Sequence, residues 1–118
     1  LTLVAVRGIP DRDRIKGHEM AEPAKCRSMT ELRETIDGLD AELMRLLARR
    51  AACIDRAIEL KRAAGLPARI DARVEEVAAN ARRNATAAGF DPEFAERLWR
   101  QLIDWSIARE ARVLDRTK

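Results

Sequence analysis

An all-α chain of three helices, one long and two shorter, is what this sequence predicts, and three observations predict it. Charged residues make up 36% of the 118 positions and aromatics only 3%, a balance that suits helix–helix contacts rather than a β-sandwich or barrel. No strand-like alternation of β-branched residues occurs after residue 28. Beyond that point the apolar residues recur at intervals of three and four, the period of a helix packed along one stripe.

Residues 1–27 carry Gly8, Pro10, Gly17 and Pro23 among scattered charges and show no sustained period, so they are expected to form a flexible N-terminal tail ahead of a helical domain over 28–118. The first helix is expected to start at Ser28, whose hydroxyl caps the backbone while Glu31 reaches back, a capping box. It runs to about Ala64 and stops at Gly65, with Pro67 just beyond. Its seam reads Met29, Leu32, Ile36, Leu39, Leu43, Leu46, Arg50, Cys53, Ala57 and Leu60. At 1.5 Å per residue this helix is roughly 50 Å long, whereas a compact domain of this size has a radius of gyration of only about 13 Å. Two short helices do not cover such a stripe, and a partner chain is the natural remedy. The second helix is expected from Asp71 as N-cap to Gly89, with Val74, Val77, Ala78, Ala81, Ala85 and Ala88 on one face. Helix three opens on Asp91 as N-cap and Pro92 at the first helical position, with Phe90 packing on the first turn and a core stripe of Phe94, Leu98, Leu102 and Trp105.

The net charge of +3 favours anionic ligands in a general way. The charges alternate in sign, and aromatics for base stacking are nearly absent, which argues against a nucleic-acid binder. Cys26 and Cys53 fall in the tail and the seam, so no disulfide framework is expected. No apolar run is long enough to span a bilayer, and Leu1–Val6 is too short for a signal-peptide core. A cytoplasmic protein is therefore expected, without membrane or nucleic-acid partners. The single His18 lies in the tail, and no set of His and Cys stands at metal-ligand spacing, so no metal site is expected.

Arg50 interrupts the apolar seam, and a guanidinium there needs an anion, because an unpaired buried charge is costly. Arg50 and Lys61 are eleven residues apart, which places them within roughly 20° on one helix face and about 16 Å apart along the axis. Two long side chains at that separation can converge on one small ligand. Arg33 lies about 42 Å from Lys61 along the same helix; if all three cations act together, it must reach the site of a second protomer. On helix three, Trp99, Ile103, Ser106 and Glu110 follow 4-3-4 spacing, so a hydroxyl and a carboxylate extend an apolar stripe. Taken singly, each cation also fits a side chain lying along the seam with its head in water. Glu110, or Asp40, would in that case be the structural partner of Arg50, and the chain a non-catalytic helical dimerisation module.

Read jointly, these residues resemble the all-α chorismate mutase family over roughly residues 28–113. Leu32-Arg33-Glu34-Thr35-Ile36-Asp37-Gly38-Leu39-Asp40 is similar to the family's opening, Leu46-Leu47-Ala48-Arg49-Arg50 to a second segment, and Lys61, Arg73 and Ile103-Asp104-Trp105-Ser106-Ile107 also fit. The resemblance implies an intertwined helical homodimer with two shared active sites and no cofactor. In each, Arg50 and the partner's Arg33 would clamp two carboxylates of chorismate, with Arg73 and Ser106 as further substrate-binding residues. Lys61 and Glu110 would be catalytic at the ether oxygen. The implied reaction is the pericyclic rearrangement of chorismate to prephenate, in aromatic amino-acid biosynthesis. The alternative is the isochorismate pyruvate lyase branch, which makes salicylate. Two departures from the mutase pattern matter: Glu110 stands where many members have Gln, and Val74 where mutases usually carry Glu. The Asp-Pro-x-Phe start of helix three and Trp105 are more like the lyase branch.

An ionised carboxylate has no proton to donate to an ether oxygen. If Glu110 serves as a donor, turnover rises toward acid pH and Glu110→Gln flattens the pH–rate profile; an unchanged profile in that variant removes Glu110 from the mechanism.

Overall fold

A computed structural model describes residues 22–115. Most of the expected tail, residues 1–21 including His18, lies outside the described residues, as do residues 116–118. The described residues fall into two compact units, divided between Ala48 and Arg49. Three helices carry the fold: α1 (Met29–Ala64), α2 (Asp71–Ala88) and α3 (Pro92–Leu114), preceded by a single 3-10 turn at Pro23–Lys25. Among the described residues there is no strand, and no helix is long and apolar enough to cross a membrane.

Capping chemistry sets the helix ends. Ser28 Oγ accepts from the Glu31 amide at 3.1 Å, while the Glu31 carboxylate reaches back to the amide of Arg27 at 2.8 Å. This is the expected capping box with its return bond shifted one residue outward. α1 ends at Gly65, whose φ of +71° is the left-handed conformation that suits glycine. The amide of Leu66 then closes back on the Lys61 carbonyl at 2.8 Å. α2 ends in the same way at Gly89, with Phe90 donating to the Ala85 carbonyl at 2.8 Å. Asp91 caps α3 by accepting from the amides of Glu93 and Phe94 at 3.0 and 3.1 Å, and Pro92 follows it. The rings of Phe90 and Phe94 meet edge to face at 5.9 Å between centroids.

The start of α2 differs from expectation. Ile70, in an extended conformation and with no side-chain cap, holds the N-cap position, and Asp71 is the first helical residue. The reason is local: the Asp71 carboxylate accepts from Arg69 Nε at 2.7 Å. From the first turn its charge still complements the positive end of the helix dipole.

Within residues 49–118, α2 packs on α3 through small side chains. Val74, Ala78, Ala81 and Ala85 are buried on α2, and Ala95, Ile103, Ser106, Glu110 and Leu114 on α3. Val74, Ala78 and Ile103 form one apolar cluster, and Ile58, Ala68 and Leu114 another. The α3 core stripe expected from sequence is therefore rotated: Phe94, Leu98 and Trp105 stand 40%, 38% and 48% exposed. The alanine face of α2 accepts the narrow side of α3 and leaves the bulkier side chains outward. On α1, Met29, Ile36, Leu39, Leu43, Leu46 and Leu60 are likewise about half exposed, between 46% and 56%.

Ion pairs lace the surface. Arg109 grips Asp55 through two bonds of 2.6 and 3.1 Å and lies over the Trp105 ring at 5.3 Å. Arg100 joins Glu75 at 3.1 Å to Glu96 at 2.8 Å, and Arg82 also donates to Glu96 at 2.9 Å. The guanidinium bonds hold three carboxyls below their usual range: Asp55 through Arg109, Glu75 through Arg100, and Glu96 through Arg82 and Arg100. Depressed carboxylates stabilise the folded state above their unfolded pKa, and that contribution is lost as pH falls through the folded value. The melting temperature should accordingly hold from neutrality down to about pH 5 and drop below about pH 4, with a shallower drop in Arg100→Gln, as read by thermal denaturation across that range.

Candidate active site

The C-terminal half of α1 presents Arg50, Cys53, Ile54, Ala57 and Lys61 on one face, as their spacing of three or four requires. α3 faces it with Ile103, Ser106, Ile107 and Glu110, and the loop between α1 and α2, together with α2, supplies Ala68, Ile70, Arg73, Val74 and Val77. Together they enclose a cavity of about 310 Å³, at the lower end of the range for small-molecule sites. Its walls are mainly aliphatic and its polar groups few, the composition that orients a ligand rather than merely binding it.

Two polar contacts define the interior. Lys61 Nζ donates to Glu110 Oε1 at 2.6 Å and to the carbonyl oxygen of Ala68 at 2.7 Å. Side chains of Lys61 and Glu110 are 19% and 5% exposed, so the carboxylate is almost wholly out of water. Arg50 Nη1 donates to Ser106 Oγ at 3.2 Å, a neutral partner. The cavity thus holds an ammonium already paired and a guanidinium bonded only to a hydroxyl. An anion gains more from that guanidinium than the hydroxyl does, because bonds between charged partners are roughly twice as strong.

Five of the six residues singled out from sequence meet here: Arg50, Lys61, Arg73, Ser106 and Glu110. Arg73 is on the rim; its guanidinium donates to Glu76 at 2.8 Å and its side chain is 64% exposed. Arg33 is exposed on the N-terminal half of α1 and is not among the lining residues. The pairing of Arg50 with Glu110 expected for a purely structural module does not form. Ser106, one turn before Glu110, takes the guanidinium, which leaves the carboxylate to Lys61.

Sequence reasoning missed the Ala68 carbonyl and did not assign the aliphatic wall of Ile54, Ile70, Val77 and Ile107 to the site. The pair Gly65 and Pro67 marked a loop, yet nothing in its residue types signals which carbonyl turns inward. No cluster of three or more His, Cys, Asp or Glu placed to hold a metal ion occurs among the described residues.

The model of the chorismate mutase type II family matches residues 32–111. The chain belongs to this family. An isochorismate pyruvate lyase of Pseudomonas aeruginosa is 32% identical over 102 residues, covering 84% of this chain and 97% of that protein. A T-protein of Enterobacter agglomerans is 33% identical over 82 residues, 70% of this chain but only 22% of its own length. No solved structure matches the chain with significance. Chorismate mutase type II proteins are enzymes acting on small chorismate-type substrates, and all residues lining the cavity fall within the matched range.

Removing one partner of a buried pair leaves the other charge uncompensated. Lys61→Met should cost about 3 kcal/mol in chemical denaturation. The double variant Lys61→Met/Glu110→Leu should recover most of that loss, because apolar replacements remove both desolvation costs together.

Proposed function

We propose that the protein is a chorismate mutase that rearranges chorismate to prephenate in a cavity shared between two copies. The observation that carries this reading is the placement of Arg50 and Lys61 on one face of α1 around a small, largely aliphatic cavity. Arg50 exchanges its bond to the Ser106 hydroxyl for a substrate carboxylate. An ammonium has three N–H donors; Ala68 and Glu110 take two, and the third is left for the ether oxygen or an adjacent carboxylate. The partner's Arg33 supplies the clamp on the second carboxylate, and Arg73 at the rim adds positive charge.

The chemistry asks for little else. In one molecule the C–O ether bond breaks as a C–C bond forms, so no electrons or protons are exchanged and no cofactor takes part. Holding the flexible dianion in its compact shape is an orientation effect. Donors aimed at the ether oxygen stabilise the negative charge that grows there as the bond lengthens. Glu110 joins them only in its acid form, which would also release Lys61 from the ion pair.

The homodimer is supported by the half-exposed apolar stripe of α1, from Met29 to Leu60, which a second copy would cover. A reducing cytoplasm suits the reading; Cys26 and Cys53 form no disulfide.

Two observations favour isochorismate pyruvate lyase as a second reading. Val74 is buried in the cavity wall, so no carboxylate stands there to accept a ring hydroxyl. A relative carrying that name aligns over 97% of its own length.

Incubating the protein separately with chorismate and isochorismate distinguishes them: prephenate from the first is the expected product, and salicylate plus pyruvate from the second supports the lyase. Arg50→Ala should keep its helical circular dichroism while kcat/KM falls on the order of a hundredfold or more. A variant that instead loosens the fold, with neither substrate raising the wild-type melting temperature, would favour a non-catalytic module.

A further inference from the structure

Ala68 belongs to two layers at once. The residue is only 6% exposed, packed with Ile58 and Leu114 in an apolar cluster, while its carbonyl oxygen accepts from Lys61 Nζ at 2.7 Å. Both other members of that cluster neighbour the ion pair: Ile58 precedes Lys61 by three residues and Leu114 follows Glu110 by four, so each shares a helix face with it. The loop is also tied to the backbone of Lys61, whose carbonyl accepts from the Leu66 amide at 2.8 Å. Pro67, with its φ fixed by the ring, joins these two anchors.

The geometry matters because of the shape of an ammonium. With a single acceptor, the flexible four-carbon stem lets the nitrogen pivot about that bond, and its other two N–H groups change direction as the stem moves. With two acceptors fixed, as Glu110 Oε1 and Ala68 O fix it, a tetrahedral nitrogen has one direction left for its third donor. We infer that Ala68 is a positioning residue for Lys61: burial of its methyl holds its carbonyl where it fixes the ammonium and aims the remaining N–H into the cavity. The inference rests on the reading of Lys61 as the donor to the substrate's ether oxygen. A loosened ammonium still attracts an anion but no longer meets the oxygen in the transition state, so kcat falls more than KM rises.

The test compares Ala68→Leu, which forces bulk between Ile58 and Leu114, with Ala68→Gly, which removes the methyl without adding bulk and keeps the test available if the leucine variant does not fold. Ala85→Val, at an alanine that is also 6% exposed but does not line the cavity, reports what core disturbance alone does. Steady-state kinetics on chorismate and isochorismate is one readout. The other is trace acetylation of Lys61, measured by peptide mass spectrometry against Lys25. In both Ala68 variants Lys61 labelling should rise severalfold, and kcat should fall about tenfold in Ala68→Leu with KM little changed. Ala85→Val should lower the melting temperature and alter neither labelling nor kcat. Labelling that stays at the wild-type level in the Ala68 variants, or a loss confined to KM, overturns the inference. Raised labelling in a protein whose wild type converts neither substrate would uphold the positioning role and remove the proposed reaction.

Discussion

The Lys61–Glu110 ion pair is the constraint on which the rest of the site depends. A carboxylate so nearly excluded from water is held only because an ammonium touches it at 2.6 Å. Such pairs contribute little to stability compared with well-packed apolar residues of the same size. The nearby aliphatic groups, Ile58, Ile107 and Leu114, show that this part of the chain is built for apolar packing. A charge pair placed among them points to chemistry rather than cohesion. Arg50 strengthens that reading, because its hydrogen bond goes to a hydroxyl and its charge is not neutralised there.

Bringing Glu110 against Lys61 requires α3 to lie at a set height along the C-terminal half of α1, and several unrelated features cooperate to fix it. The Asp91 cap and Pro92 define where α3 begins. Alanines at 78, 81 and 95 allow α2 and α3 to approach closely. The two-pronged bond between Arg109 and Asp55 ties α3 to α1 one residue before Glu110. None of these groups lines the cavity. Their role is to bring residues far apart in sequence within hydrogen-bonding distance, which is why damage to the site need not come from the site.

Much of this was legible in the sequence, for identifiable reasons. Helix ends at Ser28, Gly65, Gly89 and Asp91 were readable because capping is local chemistry between residues a few positions apart. The shared face of Arg50 with Lys61, and of Ser106 with Glu110, follows from the helical repeat alone. What escaped depends on tertiary choice. Periodicity shows that a face is apolar but not what covers it, so Phe94, Leu98 and Trp105 looked like core although α2 packs on the neighbouring alanine and isoleucine side. Asp71 looked like a cap because the competing guanidinium of Arg69 could not be weighed without geometry. The partner of Glu110 turned on helix height, and the Ala68 carbonyl has no side-chain signature at all.

The mutase and lyase reactions share more than a clamp. Both substrates are dianions that carry an enolpyruvyl ether, and both reactions break a C–O bond at that ether. Cations that bind the carboxylates and a donor that faces the oxygen therefore serve either one. On the proposed reading, the charge set of Arg50 and Lys61 is tied to the bond that breaks, and selection between substrates falls to the wall. There, Val74 packs with Ala78 and Ile103 in a continuous apolar surface. A ring hydroxyl turned toward that surface would lose its hydration without gaining a partner, at a cost of roughly 1–3 kcal/mol, whereas one turned toward the polar layer at Ser106 would not. On the proposed reading, discrimination between the isomers is a penalty against one hydroxyl position, imposed by apolar residues that make no contact with the breaking bond.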